Sequence, residues 1–312
     1  MMNLAAILNQ HQNIVIIRHK APDLDAYGSQ FGLYYALKEQ YPTHNIQVVG
    51  DQNNLNFFEP LEPMLTNFTN KCVFVLDTVS KQMLESLAFE QADYIILIDH
   101  HQNAPDVKYH EYLHHPGASS TAEMIIDLLQ ENQIPIPKAA ARALYFGLVG
   151  DTGRFQYSNT SSHTFECAAA LLEQGVDVSE VNKVMYSEPL QMKLFKAQFL
   201  ARMQWTKHFV GYQKNTKEDI ETWGLDTQTV SRGMVNQMAG IQEIPIWANF
   251  TYDLKTDTII CELRSREIPI IAVAKKYGGG GHVLACGCSV SSFEEADQIL
   301  ADLDQLLEES HG

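Results

Sequence analysis

The chain has 312 residues, 45% hydrophobic and 19% charged, with 22 Lys+Arg against 38 Asp+Glu and a net charge of -16. The length points to two domains of about 150 residues, and the composition is that of a soluble globular protein with enough apolar material for a core in each half. The acidic balance argues against duplex nucleic acid, which calls for a basic stripe, but admits a small anionic substrate where bound divalent cations reverse the local field.

The first Lys or Arg is Arg18. No basic stretch therefore precedes the first apolar segment, which argues against a secretory signal. No apolar run approaches the ~20 residues of a membrane span, so no membrane partner is expected. The five cysteines, Cys72, Cys167, Cys261, Cys286 and Cys288, are odd in number and include no pair of CxxC motifs. They read as small buried residues in a reducing cytoplasm, with Cys286 and Cys288 on one face of a strand.

In chain order, the β-branched run 14–17 reads as a buried strand and 26–40 as a helix. Further strands are expected at 46–49, 72–76 and 94–98, the third ending at Asp77 and the fourth at Asp99-His100-His101. Ser120-Thr121-Ala122-Glu123 is a capping-box pattern opening a helix to about residue 130. Helices are also expected at 138–149, ending near Gly150-Asp151, and at 161–174, stopped by Gly175. A mostly helical stretch, 182–204, reads as the connection between domains. The resulting organisation is 1–186, a linker at 187–204, and 205–312. In the second half, strands are expected at 209–213, 246–252 and 259–263. Helices are expected at 227–239, 270–277 and 293–309. Strand–helix alternation in the first half implies a parallel sheet covered on both faces, and the second half reads as mixed α/β. Trp205, Trp223 and Trp247 are expected in cores rather than at a base-stacking surface.

The chemistry gathers beyond the carboxyl ends of the predicted strands, where open parallel sheets bind ligands. His19, Asp23 and Asp25 share one strand-to-helix turn, and Asp77, Asp99, His100 and His101 follow the next strands. Asp151 adds a further carboxylate. A single Asp at a strand end is usually a turn or cap residue, and His114-His115, before Pro116-Gly117, reads as an ordinary loop pair. Co-occurrence at successive strand ends sets the main cluster apart. Its mixed carboxylates and imidazoles suit Mn²⁺, with Mg²⁺ or Co²⁺ as alternatives. Two such ions would cancel the mutual repulsion of the aspartates. Gly278 alone would be a helix C-cap, but four glycines through Gly281 exceed that need and would let backbone N–H groups approach a ligand.

The ordered set His19…Asp23-x-Asp25, Asp77, Asp99-His100-His101 and Gly150-Asp151 resembles the four motifs of DHH phosphoesterases. Arg264-Ser265 and Gly278-Gly279-Gly280-Gly281-His282 resemble the associated DHHA1 domain. Size and motif order are similar to the bacterial nanoRNase/pAp-phosphatase group, over nearly the whole chain. Leu24 stands where many relatives carry a smaller residue, which bears on loop conformation.

The resemblance implies a DHH domain holding two metals, a smaller DHHA1 domain selecting substrate, and an active site in the cleft between them. It implies one metal on His19, Asp23 and Asp77, and another on Asp25, Asp77, His100 and Asp151, with Asp77 bridging. Asp99 would orient an imidazole and His101 would face the substrate phosphate. Ser29 reads as structural. Arg264, Ser265, Gly279, Gly280, Gly281, His282 and Arg154 would contact substrate. The implied activity is 3′-end degradation of short oligoribonucleotides together with removal of the 3′-phosphate of pAp. A homo-oligomer is compatible with all of this. A cyclic- or linear-dinucleotide phosphodiesterase is the nearest rival. A non-catalytic nucleotide sensor is the rival from another class.

Overall fold

The computed structural model describes residues 2–53, 55 and 58–311. The chain divides into two compact units, Met1–Ser187 and Glu188–Gly312. No helix among the described residues is long and apolar enough to cross a membrane.

The first unit runs α1 (Leu4–Gln10), β1 (Asn13–Arg18), α2 (Leu24–Gln40), β2 (Asn45–Val48), β3 (Cys72–Leu76), β4 (Tyr94–Asp99) and β5 (Glu111–His114). Four helices follow: α3 (Thr121–Glu131), α4 (Lys138–Asp151), α5 (Ser162–Glu173) and α6 (Val178–Tyr186). Its five strands lie in the order β2-β1-β3-β4-β5, and every pairing is parallel. Alternating side chains serve opposite faces: Ile14 and Ile16 join one core with Phe74, Ile96 and Ile98, while Val15 and Ile17 join another with Val73, Val75 and Leu97. Burial on both faces explains why these strands read as unbroken apolar runs rather than as alternating ones. Each fully buried Val, Leu or Ile contributes about 1.5–3 kcal/mol.

The strand order positions the site. The strand that follows β1 in sequence lies on one side of it and the next lies on the other. The crossovers therefore leave β1 in opposite directions and open a crevice at the carboxyl ends of β1 and β3. A close crossing of α2 over α4 closes the other wall. A Cβ on Gly28 would lie 2.6 Å from the Ala143 carbonyl, and one on Gly147 would lie 2.7 Å from the Ala122 Cβ and 3.0 Å from an Asp25 oxygen. Two glycines thus let the helices approach until Asp25 and Asp151 belong to one site.

The second unit contains α7 (Leu190–Ala201), β6 (Gln204–Trp205), β7 (Val210–Asn215), α8 (Lys217–Trp223), α9 (Thr227–Ser231), β8 (Ile246–Asp253) and β9 (Thr258–Ser265). It ends with α10 (Ile271–Lys276), β10 (Gly280–Gly281), β11 (Ala285–Val290) and α11 (Phe293–His311). The sheet order is β10-β11-β9-β8-β7-β6, with β7–β8 parallel and the other pairs antiparallel. The α/β class expected for both halves is present.

Several local expectations need correction. The helix expected over 227–239 divides into α9 and a 3₁₀ turn, Val235–Met238. Gly233, held against the Thr229 carbonyl, lies at the break. The helical stretch 182–204 is interrupted at Ser187-Glu188-Pro189, so α6 and α7 belong to different units. Pro189 is the N-cap of α7, and Phe195 and Phe199 bury that helix in the second unit. Trp247 is buried and the partly buried Trp223 packs against the same cluster, edge-on to Phe195, but Trp205 is 58% exposed. It sits on the outermost, two-residue strand β6, which has a neighbour on one side only.

Candidate metal centre

The turn after β1 is held from below. The Arg18 guanidinium is buried 4.4 Å from the Tyr27 ring centroid and donates to the Asp51 carboxylate and carbonyl. The other Asp51 carboxylate oxygen accepts the Ala21 N–H at 3.0 Å, and Ala21 has a left-handed φ of 50°. This fixes His19. Its Nδ1 faces the Lys20 carbonyl at 2.8 Å, leaving Nε2 3.4 Å from Asp77 Oδ2 and 3.8 Å from Asp23 Oδ2.

Asp23 caps α2: its Oδ1 accepts from Asp25 N and Ala26 N, and its second oxygen remains for His19. Asp25 is wholly buried and accepts the Thr121 and Ala122 N–H groups at the start of α3, at 2.7 and 2.8 Å. It therefore also anchors a helix N-terminus. Ser29 is buried and donates to the Ala26 carbonyl within α2.

Asp77 lies where the two halves of the site meet. It has φ 60°, a left-handed conformation that Asp tolerates better than most residues and that recurs at functional sites. Its Oδ2 faces His19 and its Oδ1 lies 3.6 Å from His100 Nε2. Thr121 donates its hydroxyl to that Oδ1 at 3.0 Å. Sequence reading passed over Thr121 as part of a helix cap, because spacing cannot show that α3 begins beside β3.

His100 repeats the arrangement of His19. Its Nδ1 faces the Ala118 carbonyl at 3.4 Å, and its Nε2 lies 3.2 Å from Asp151 Oδ2 and 3.9 Å from Asp25 Oδ2. That buried Nε2 makes no well-aligned hydrogen bond, although burial's lowering effect is outweighed by Asp151 and Asp77, which raise the imidazole above its usual range. The groups His19–Asp23–Asp77 and Asp25–His100–Asp151 each place their ligand atoms within 4.8 Å of one another, as does Asp77–His100–His101. His101 is half-exposed, with Nδ1 2.7 Å from Oδ1 of the fully buried Asp99. His114 lies outside these groups and directs Nε2 to the His101 carbonyl.

The electrostatics call for cations. Burial, reinforced by Asp77, Asp151 and Asp23, pushes the Asp25 carboxyl well above its usual range. Burial likewise raises Asp77, against the opposing hydrogen bond from His19. For His19, burial disfavours the charged form, but the bonds to Asp23 and Asp77 outweigh it and lift the imidazole to about 10. Protons thus stand in for missing positive charge. Two imidazoles with Nδ1 on carbonyls, which would give up their Nε2 protons to an ion, and a shared carboxylate fit divalent cations.

The predicted substrate residues of the second unit are engaged internally. Arg264 donates to Glu262 at 2.8 Å and to the Leu263 and Cys286 carbonyls. Ser265 is buried and accepts the Ile268 N–H. Gly278 has φ 73° after α10, a Cβ on Gly279 would lie 2.1 Å from the Gly287 carbonyl, and Gly281, at φ 129°, would clash with Ala285. Three of the four glycines are thus needed to turn the chain into the β10–β11 hairpin. Gly280 has neither a positive φ nor a close neighbour, and it lies beside the exposed His282. In the first unit Arg154 lies over the Tyr186 ring, its guanidinium 4.7 Å from the centroid. It lines a cavity of about 310 Å³ that Gly150 and Leu24 also border.

This sheet, with carboxylates and imidazoles gathered at its switch point, defines a class of enzyme that hydrolyses phosphate esters with the help of metal ions. The DHH family N-terminal domain matches residues 13–148 and the DHHA1 domain matches residues 224–309. The chain is 32% identical to the bifunctional oligoribonuclease and PAP phosphatase NrnA of Bacillus subtilis, covering 98% of each chain. It is 30% identical to a probable bifunctional oligoribonuclease and PAP phosphatase NrnA of Streptococcus mutans, covering 97% of this chain and 98% of that one. A crystal structure of an exopolyphosphatase-related protein from Bacteroides fragilis shares the fold, with a TM-score of 0.83 at 22% identity over 97% and 96% of the two chains. The chain belongs to the DHH family of metal-dependent phosphoesterases.

Proposed function

We propose that this protein hydrolyses short oligoribonucleotides to mononucleotides and removes the 3′-phosphate of PAP, using two Mn²⁺ ions. The observation that carries this reading is Asp77, which offers one oxygen to His19 and the other to His100. The activities named for relatives aligned end to end at 32% and 30% identity supply the substrate class. His19, Asp23 and Asp77 would hold one ion; Asp25, Asp77, His100 and Asp151 would hold the other.

Held there, two divalent ions would supply a water of lowered pKa and positive charge for the phosphoryl oxygens. The chain's own groups do the rest. Asp99 holds His101 through Nδ1, which leaves Nε2 of the half-exposed ring for a ligand. In that position it can hold a phosphate oxygen or give a proton to the leaving oxygen. Thr121 and the backbone at the start of α3 hold Asp77 and Asp25 in place, which limits reorganisation during the reaction. Arg264, Ser265, Gly279, Gly280, Gly281 and His282 in the second unit, and Arg154 in the first, would select the nucleotide part of the substrate.

The test is chromatographic product analysis on short RNAs labelled at each end and on PAP, after chelation and Mn²⁺ readdition. Mononucleotides released stepwise from the 3′ end, with phosphate from PAP, are expected. Cleavage of cyclic dinucleotides with neither of these products would overturn the substrate assignment.

A further inference from the structure

A second cluster of metal-ligating side chains lies on the outer helices of the first unit. Asp127 is on α3, and His163 and Cys167 are four residues apart on α5, hence on one face of that helix. His163 Nε2 lies 2.8 and 3.0 Å from the two Asp127 oxygens, Cys167 Sγ lies 3.6 Å from the same nitrogen, and Sγ lies 3.8 Å from Asp127 Oδ1. None of the three belongs to the carboxylate centre described above. We propose that Asp127, His163 and Cys167 form a separate binding site for a zinc-class divalent cation, with a fourth position open to water.

The geometry comes close to what such an ion needs. Zn–S near 2.3 Å and Zn–N and Zn–O near 2.0 Å in a tetrahedron put ligand atoms about 3.3–3.6 Å apart. The sulfur edges are already near that range, and the imidazole and carboxylate must part by about 0.5 Å. His163 has the orientation seen in bound histidines: Nε2 points into the cluster and Nδ1 lies 3.4 Å from the Glu166 carboxylate. His163 and Asp127 are partly exposed, which gives the ion an entry path, while Cys167 is buried at the base. Burial and the Asp127 and Glu123 carboxylates push the Cys167 thiol up. The thiol is therefore protonated and unreactive without a cation. On binding, the thiol proton and the Nε2 proton that His163 shares with Asp127 both pass to solvent, and the thiolate sulfur and the bared nitrogen bond the ion.

The set mixes soft and hard donors, which separates it chemically from the first centre. That centre offers only oxygen and imidazole nitrogen and suits Mn²⁺; the thiolate selects for zinc and its surrogate cobalt. An ion here would staple α5 to α3, the helix whose first residues bind Asp25 and Asp77.

Cobalt(II) added to the metal-free full-length protein tests this. Only a thiolate ligand gives the near-ultraviolet sulfur-to-cobalt charge-transfer band, so cobalt in the carboxylate centre is silent at that wavelength. The other four cysteines are buried and belong to no such group among the described residues. We expect the band in the wild type, its loss in Cys167→Ser, and at least ~100-fold weaker cobalt binding by the same signal in His163→Ala. His163 is exposed enough for its variant to fold, and Mn²⁺-dependent hydrolysis by His163→Ala should match the wild type. Absence of the band in wild-type protein, or its persistence in Cys167→Ser, overturns the proposal. So does undiminished cobalt affinity in His163→Ala.

Discussion

The carboxylate centre of the first unit and the glycine-rich hairpin of the second are both dense in residues that resemble family motifs, yet they are built on opposite principles. In the first, charged groups are gathered without matching counter-charge: Asp25 and Asp77 are hydrogen-bonded, yet burial beside other carboxylates raises both carboxyls. In the second, the groups already have partners: Arg264 is paired with Glu262, Ser265 caps a turn, and three glycines are required by the backbone. A carboxylate cluster short of positive charge takes up either protons or cations, so chemistry in the first region should depend on metal absolutely. A satisfied one needs its ligand only to exchange partners, so substitutions there should have graded effects.

The largest expected effect follows from removing the ions. Chelation should abolish hydrolysis and Mn²⁺ should restore it; full turnover in protein shown by elemental analysis to be metal-free would contradict the mechanism. Asp77→Ala should lower turnover at least ~10³-fold, because one side chain serves both groups. His101→Ala should come next, with a loss of about 10²–10⁴-fold in kcat and unchanged metal content, since the ring offers proton transfer or phosphate contact rather than ligation. If metal is lost as well, His101 belongs to the ligand set.

Smaller effects are expected in the second unit. Arg264→Ala and His282→Ala should each reduce kcat/KM for short RNA and PAP by about 10-fold or more, the range of a lost charge-assisted hydrogen bond. A small activated phosphodiester without a nucleoside should suffer less, and metal content should not change. Because Arg264 already pairs with Glu262, Arg264→Lys should not rescue: an ammonium cannot reproduce the fork that reaches Glu262 and two carbonyls. Wild-type kinetics for both alanine variants on short RNA would remove the second unit from substrate recognition. The smallest effect is reserved for His114→Ala, expected to be near neutral in turnover because its ring bonds a backbone carbonyl near the site and stacks on Tyr112, away from the ligand groups.

The same contrast governs what the sequence discloses. The first unit's strands are continuous β-branched runs with acidic or imidazole residues at their ends, so 14–17, 72–76 and 94–98 fall within one or two residues of β1, β3 and β4. Placement after strands also brings His19, Asp77 and His100 together before any coordinates are known. What remained hidden depends on tertiary approach. Thr121 looks like a cap until α3 is seen to begin beside Asp77, and Asp127 has no sequence relation to His163 and Cys167. The His163–Cys167 spacing of four was the one readable sign of the second cluster. Short elements such as α1, α8 and β5 carry too few periodic positions to stand out. The glycine run of 278–281 invites a ligand reading, because sequence cannot show that β11 passes within contact of Gly279 and Gly281.

The central claim is that one carboxylate, Asp77, joins two cation sites, and metal stoichiometry tests it most directly. Wild-type protein equilibrated with Mn²⁺ and freed of excess should retain two ions per chain by elemental analysis. Asp77→Asn, which keeps the size of the side chain and removes its charge, should retain fewer than one while its circular dichroism matches the wild type. Two ions held by folded Asp77→Asn, or one ion at saturation in the wild type, would contradict the account.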